Sequence, residues 1–216
     1  MRRVLEILAP VLADASVLKI GHNLKYDLVV LAKYGVVGAR HPEAEPKDDA
    51  ILLTPIADTM LMSYCLGAGL HGHGLDFLAE KHFGHKMVAF TEVTGTGKNQ
   101  KNFSEIALDA ATNYAAEDAD VTLRFHEAFR PRVAQEKLVS LYETIERPLI
   151  PVIARMEEAG IKVDVKKLAG LSSDFAAKMA VLEQEIKQLA GVDFNVSSPK
   201  QLGEILFERM GLPGGK

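Results

Sequence analysis

The stretch Tyr114-Ala115-Ala116-Glu117-Asp118-Ala119-Asp120 sits inside a long run with helical character. Tyr114 and Asp118 are four residues apart, so on a helix they stack on one face about one turn from each other. A phenol beside a carboxylate can orient water and help hold a divalent metal. Upstream, Gly21-His22-Asn23-Leu24-Lys25-Tyr26-Asp27 marks the point where an apolar strand gives way to a helix and delivers a second carboxylate, Asp27. Asp27 and Asp118 are expected to meet in space as part of a metal site. Each residue alone also fits a plainer role. Glu117 and Asp120 make the Asp118 face a solvated acidic one, Asp27 in a first helical turn complements the helix dipole, and Asn23 suits a turn.

A chain of 216 residues has room for one good-sized domain or one and a half small ones. Hydrophobic residues make up 48% and charged residues 25%, enough to bury a core beneath a solvated surface. The net charge of -4 argues against a wholesale basic nucleic-acid binder and leaves room for a local basic groove. Cys65 is the single cysteine, so no intramolecular disulfide forms, which suits a reducing cytoplasm. No apolar run is long enough to span a bilayer. After Met1-Arg2-Arg3 the apolar piece is broken by Glu6 and Asp14, which makes it an amphipathic helix rather than a signal peptide. The turn-rich end, Gly211 to Lys216, reads as a cut within a loop.

Taken in order, residues 2–14 have helical apolar spacing and Val17–Ile20 reads as a short buried strand. A helix is expected over Asp27–Tyr34, with Leu28, Leu31 and Ala32 inward and Gly35 closing it. Val36–Asp49 reads as a surface loop, Ile51–Ala57 as a second strand, and Asp58 as the cap of a helix over Met60–Leu66. Gly67–Gly74 is a loop, Leu75–Phe83 a short helix, and Phe90–Lys101 a polar stretch with Gly95 and Gly97. A helix starting at Ser104 precedes the long one, Asn113–Phe129, which Pro131 is expected to interrupt. Leu138–Glu158 is helical with a kink or break at Pro148 and Pro151, and Gly160–Asp164 reads as a turn and short strand. A long amphipathic helix covers Val165–Leu189, and Ser197-Ser198-Pro199 starts the last one.

Other chemistries are set aside on spacing. His71, His73, His82 and His85 lack paired cysteines and the two-histidine helical spacing of zinc sites. Gly95-Thr96-Gly97-Lys98 fails as a phosphate loop, because Glu92 stands where the first glycine belongs and Asn99 where the Ser/Thr belongs. Lys98 and Lys101 either touch a nucleic-acid backbone or are simply solvated. No serine lies in a nucleophile elbow.

Five stretches, KIGHNLKYD (19–27), DTMLMSYCL (58–66), GKNQKNFSEIAL (97–108), YAAEDADVTL (114–123) and FNVSSPKQLGEILFERMGL (194–212), occur in this order and spacing. Together they closely resemble the bacterial family A DNA polymerases, over essentially the whole chain. The resemblance implies a helix-rich α/β chain. Residues 1–135 would be an incomplete ribonuclease H-like 3′–5′ exonuclease fold, and 136–216 the first helices of the polymerase domain, leading into the thumb. It places the family's second acidic motif at Asp27, its third at Tyr114 and Asp118, the single-stranded DNA track at Asn23 and Tyr26, and an aromatic near the terminal base at Phe90.

The implied chemistry is metal-dependent proofreading in a DNA-synthesising parent enzyme for replication and repair. A phosphodiester is hydrolysed with two divalent ions, Mg²⁺ or Mn²⁺, and a nucleoside monophosphate leaves. Asp27 and Asp118 would be metal ligands and Tyr114 would orient the attacking water. The implied partners are a single-stranded or frayed 3′ end and the rest of the polymerase chain, in a monomer with no membrane contact, in the cytoplasm at the nucleoid. The family's first motif, Asp-x-Glu on a strand, has no counterpart here. Glu43-Ala44-Glu45 follows the second motif in a proline-bearing loop, that loop from Val36 to Pro55 is long for the family, and Gly72 stands where a basic residue is frequent. With two of four carboxylates the isolated chain is expected to be a poor exonuclease. Rival readings are an RNA-trimming exonuclease of the ribonuclease D type, against which the tail from Asp193 to Leu212 speaks, a vestigial domain that only braces the polymerase and holds DNA, and a truncated product with no activity.

Overall fold

The structure, a computed structural model, describes residues 2–38 and 51–214. Most of the expected Val36–Asp49 loop, with Glu43-Ala44-Glu45, lies outside the described residues. The contacts divide the chain into two units, Met1–Gly160 and Ile161–Lys216.

In the first unit the order is α1 (Arg2–Ala13), β1 (Lys19–Gly21), α2 (Leu24–Ala32), β2 (Val36–Val37), β3 (Ile51–Leu52), β4 (Ile56–Asp58), α3 (Thr59–Gly67), α4 (Leu75–Phe83), α5 (Phe90–Thr94) and α6 (Leu108–Gln135). After them come α7 (Val139–Leu141), a π-helical turn (Tyr142–Glu146) and α8 (Arg147–Ala159). The strands form two parallel pairs. β1 runs beside β4 with Lys19 opposite Ile56 and Gly21 opposite Asp58, and β2 beside β3 with Val36 opposite Ile51. The ammonium of Lys19 holds the entry to β1 by donating to the carbonyls of Asp14, Val17 and Thr54 at 2.7–2.8 Å.

Two apolar clusters fill this unit. One gathers Ala57, Met62 and Leu78 around the α6 ladder Val121, Phe125, Phe129 and Val133, and the other gathers Leu5, Leu28, Val36 and Ile56 with Ile150 of α8. The ladder repeats every four residues, as one face of a helix must. Phe125 stacks on Phe83 and Phe129 at ring separations of 4.9 and 5.0 Å. The same ladder explains why α6 continues through Pro131, contrary to the expected interruption. Proline inside a helix costs about 3 kcal/mol. Burying Phe129 and Val133 on either side of it returns about 1.5–3 kcal/mol each.

The structure corrects several boundaries. α2 begins three residues before Asp27, because its first turn is capped from a distant residue described below. Val36–Val37 is a strand rather than loop. Ile51–Ala57 is two short strands, since Pro55 has no N–H for a ladder. Phe90–Thr94 is helical. Ser104 lies in a 3₁₀ turn rather than at a helix start. Asn102 and Glu105 form a reciprocal capping box around that turn. The break expected at Pro148 and Pro151 takes the form of the π turn just ahead of them, and the prolines themselves lie within α8. Gly160–Asp164 forms no strand.

The second unit holds α9 (Val165–Ala190), α10 (Pro199–Gly203) and a further π turn (Glu204–Arg209). Asp164 caps α9 by accepting from the Lys167 amide, and Ser198 caps α10 with Pro199 at its first position, as the sequence predicts.

Candidate functional site

The carboxyl ends of β1 and β4 lie side by side, with Gly21 opposite Asp58, and both lead directly into helices. Open α/β sheets place their sites at such ends. His22 follows β1. Its Nε2 lies 2.9 Å from the His73 carbonyl, which can only accept, so Nε2 carries the proton. Its Nδ1 meets the Thr59 hydroxyl at 2.9 Å. Burial holds the imidazole pKa below its ordinary value.

Asn23 has φ 64 and ψ 45, a left-handed conformation that costs a non-glycine residue of order 1 kcal/mol. It turns the chain so that α2 starts at once after the strand. The carboxylate of Asp58 fixes this turn, accepting from the Asn23 amide at 3.2 Å and the Leu24 amide at 2.7 Å. The same carboxylate caps α3 through the Met60 and Leu61 amides at 2.9 and 3.2 Å. Tyr26 is 65% exposed on the first turn of α2, and Asp27 follows it. Asp27 is solvent-accessible on one side, yet the protein around it displaces enough water to push its carboxyl pKa up, and the Asp58 charge adds to this.

On α6, Tyr114 and Asp118 share a face. Burial, and then the charge of Glu117, raises the Asp118 pKa. Burial, and then the charge of Asp118, raises that of Tyr114, so the phenol keeps its proton at neutral pH. Tyr114 stands edge-on to Phe90 and Phe103, with ring centroids 6.1 and 5.9 Å away. Phe90 and Phe103 lie nearly parallel at 5.9 Å, and both are more than a third exposed. Glu117 anchors the segment leading to Phe90, accepting from the Val88 amide at 2.8 Å and meeting His85 Nε2 at 2.8 Å. These bonds, the Val88 amide first, pull the Glu117 carboxyl below its ordinary value. Lys98 lies in a 3₁₀ turn, and the Lys101 amide returns to the Thr94 carbonyl at 2.8 Å; both side chains are exposed.

The structure thus brings Tyr114 together with Asp118 and Phe90, and sets Asn23, Tyr26 and Asp27 in one helical turn. The charge raising Asp27 is that of Asp58, and the charge raising Asp118 is that of Glu117. Among the described residues no group of three or more His, Cys, Asp or Glu is placed to hold a metal ion. Sequence reasoning missed the second role of Asp58, the anchoring role of Glu117, and Phe103. An aspartate directly before a helix pointed to the α3 cap alone. The two α2 amides lie 34 and 35 residues away in sequence and reach Asp58 only through the β1–β4 pairing. Among the described residues no helix is long and apolar enough to cross a membrane.

Fold and site together describe a helix-rich α/β protein with acidic and phenolic side chains gathered at helix starts and on one long helix. The family model described as 3′-5′ exonuclease matches residues 1–134, and the one described as DNA polymerase family A matches residues 165–216. The chain belongs to this 3′-5′ exonuclease family, as its motifs indicate. It is 49% identical over 215 residues to DNA polymerase I of Rhizobium leguminosarum, a match covering 100% of this chain and 20% of that protein. With DNA polymerase I of Pseudomonas aeruginosa the identity is 43% over 212 residues, covering 97% of this chain and 22% of that protein. The chain spans about a fifth of the length of these curated relatives. Among solved structures it is like one titled "POL domain of Pol1 from M. smegmatis complex with DNA primer-template and dNTP". The TM-score is 0.62 at 24% identity, covering 100% of this chain and 32% of that one, a likeness of fold.

Proposed function

We propose that the chain supplies the second and third acidic motifs of a metal-dependent 3′–5′ exonuclease that trims single-stranded or frayed DNA 3′ ends within a DNA polymerase I. Residues 1–135 belong to the exonuclease domain and 136–216 open the polymerase domain. The observation that carries this is the match of residues 1–134 to the 3′-5′ exonuclease family, with Asp27 on α2 and Tyr114 and Asp118 on one face of α6. Burial raises the carboxyl pKa of both aspartates, with the charge of Asp58 adding at Asp27 and that of Glu117 at Asp118. Asp27 and Asp118 offer the carboxylate oxygens that Mg²⁺ and Mn²⁺ take. Asp27 and Asp118 would hold the ions, which when bound supply charge neutralisation at the scissile phosphodiester and activation of water.

The protein's own share is positioning. Tyr114, protonated at neutral pH, hydrogen-bonds and orients the attacking water. Phe90 stacks against the terminal base, and Asn23 and Tyr26 line the strand ahead of it. Lys98 and Lys101 meet phosphates. A mispaired end is favoured because unpairing costs less there, which puts a single strand within reach. The enzyme works as a monomer in the bacterial cytoplasm, at the nucleoid.

The test uses a 3′-labelled oligonucleotide with Mg²⁺, and a chain extended to the length of the relatives. Mononucleotide release is expected, faster on single strands than on blunt duplex and on DNA than on RNA, and lost in Asp27→Ala and Asp118→Ala. Release that survives Asp118→Ala would sink the proposal. The 216-residue chain alone is expected to release mononucleotides slowly or not at all.

A further inference from the structure

Asp58 is 2% exposed and its carboxylate accepts from four amides, two at the start of α2 and two at the start of α3. Asp58 stands opposite Gly21 at the last position of the β1–β4 register. The Asp58 amide donates to the hydroxyl of Tyr142 at 2.9 Å, and that hydroxyl lies 3.5 Å from the Asp58 carbonyl. Tyr142 is also 2% exposed and belongs to the π turn over 142–146, between the two segments that the family models match. Five residues on, Arg147 Nη1 reaches the Ile56 carbonyl at 3.5 Å, so this segment grips both ends of β4.

We propose that Tyr142 is a positioning residue for the nuclease site: by fixing Asp58, its hydroxyl sets the left-handed turn at Asn23 and so the place of Tyr26 and Asp27 on α2. This rests on Asp27 being a metal ligand. A left-handed asparagine persists only where its surroundings over-determine it. Here the determinant is the Asp58 carboxylate on the Asn23 and Leu24 amides. The direction of that carboxylate depends on the backbone of Asp58, and the Tyr142 hydroxyl accepts from the backbone N–H of Asp58. Removing the hydroxyl leaves a buried N–H without a partner, and Asp58 must move to reach one. The shift passes to α2. A π turn, which re-aims side chains within a helix and is frequent at functional sites, delivers the phenol to this point.

Tyr142→Phe keeps the ring and removes the hydrogen bond. Amide exchange is measured on the 216-residue chain and Mn²⁺ binding on a chain of the relatives' length, and neither needs nuclease activity. Amide hydrogen exchange at Asn23 and Leu24 is expected to quicken about tenfold, with the Leu78 amide of α4 unchanged. Half-saturation by Mn²⁺, read by electron paramagnetic resonance, is expected to rise about tenfold, the low end for a group acting through another on a ligand. Phe129→Leu, a core variant away from this chain of bonds, is expected to leave Mn²⁺ binding as it is. Should Tyr142→Phe not fold, 3-fluorotyrosine at this position keeps the ring, weakens the hydroxyl as an acceptor, and is expected to move both readouts the same way by a smaller factor. Unchanged Mn²⁺ affinity in the Tyr142 variants, with or without faster exchange, overturns the proposal, as does an equal loss in Phe129→Leu. If the unsubstituted chain binds no Mn²⁺, or Asp27→Ala does not weaken binding, the metal reading fails and this proposal with it. If Asp27→Ala weakens binding and Tyr142→Phe does not, the role of Tyr142 alone falls.

Discussion

Asp118 is held at a cost to the folded chain. Its carboxyl binds a proton more tightly in the folded state than in the unfolded one, because protein surrounds it and Glu117 is charged beside it. The folded state therefore gains from protonation. That gain is complete below the ordinary aspartate value of about 3.9 and is lost as pH rises through the raised folded value. At neutral pH the ionised group is a penalty, and Asp118→Asn removes it. The variant is expected to melt higher than the parent at pH 7, with the difference shrinking toward pH 4. Metal-dependent release, in a chain of the relatives' length, should fall by more than the roughly 10–100-fold typical of an outer-shell partner. A lower midpoint at pH 7 would count against the burial argument. Asp58 is the opposite case, an acid that stabilises. Two helix starts depend on it, each cap being worth about 1 kcal/mol, and amides left buried without partners add to the loss. Asp58→Ala is expected to cost about 2–4 kcal/mol in urea unfolding, and Asp58→Asn, which keeps one oxygen, less. One of these two roles was legible in the sequence. An aspartate next to its helix is a local signal, and a carboxylate serving amides across a strand pair is not.

Elements follow the same division between local and distant causes. α4 is legible end to end, because its apolar spacing and the flanking Gly74 and Gly84 are all local. α6 outruns its predicted end because the Val121–Val133 ladder continues past Pro131, and burial outweighs the missing hydrogen bond. Gly160–Asp164 carries apolar Ile161 and Val163, yet strands need a neighbour and none pairs with it. The aromatic group at Tyr114 is assembled by elements too short to predict, α5 and a 3₁₀ turn, and Glu117 ties the approach to α5 onto α6. This tie stabilises. The carboxyl of Glu117 is held below its ordinary value, so its contribution is present above that value of about 4.3 and lost as pH falls through the lowered folded value. Glu117→Ala is expected to cost about 1 kcal/mol at pH 7, a charged hydrogen bond discounted for partial exposure. The difference from the parent should vanish in acid. Urea titrations at two pH values measure both, and a cost that persists unchanged in acid would assign the loss to packing.

For the whole molecule the division falls after Gly160, and the two units differ in kind. Every residue of both apolar clusters lies at or before Ala154. Among the described residues from Ile161 onward none is buried, and the apolar side chains of α9, from Leu168 through Phe175 and Leu182, remain more than a third exposed. A cooperative transition needs apolar surface that leaves water on folding, to offset roughly 1–2 kcal/mol of backbone entropy per ordered residue. The first unit has that surface. The second has caps, at Asp164 and Ser198, and helix propensity along α9, which support helix without a sharp melting point. A chain ending at Gly160 is therefore expected to unfold in one cooperative step, with a midpoint within about 3 °C of the 216-residue chain, since a change of 1 kcal/mol moves a domain of this size by roughly 2–8 °C. Residues 161–216 alone are expected to lose helical circular dichroism gradually on heating. A drop well beyond that range on truncation, or a sharp calorimetric transition in the isolated second unit, would mean that the second unit carries a core of its own or completes the first.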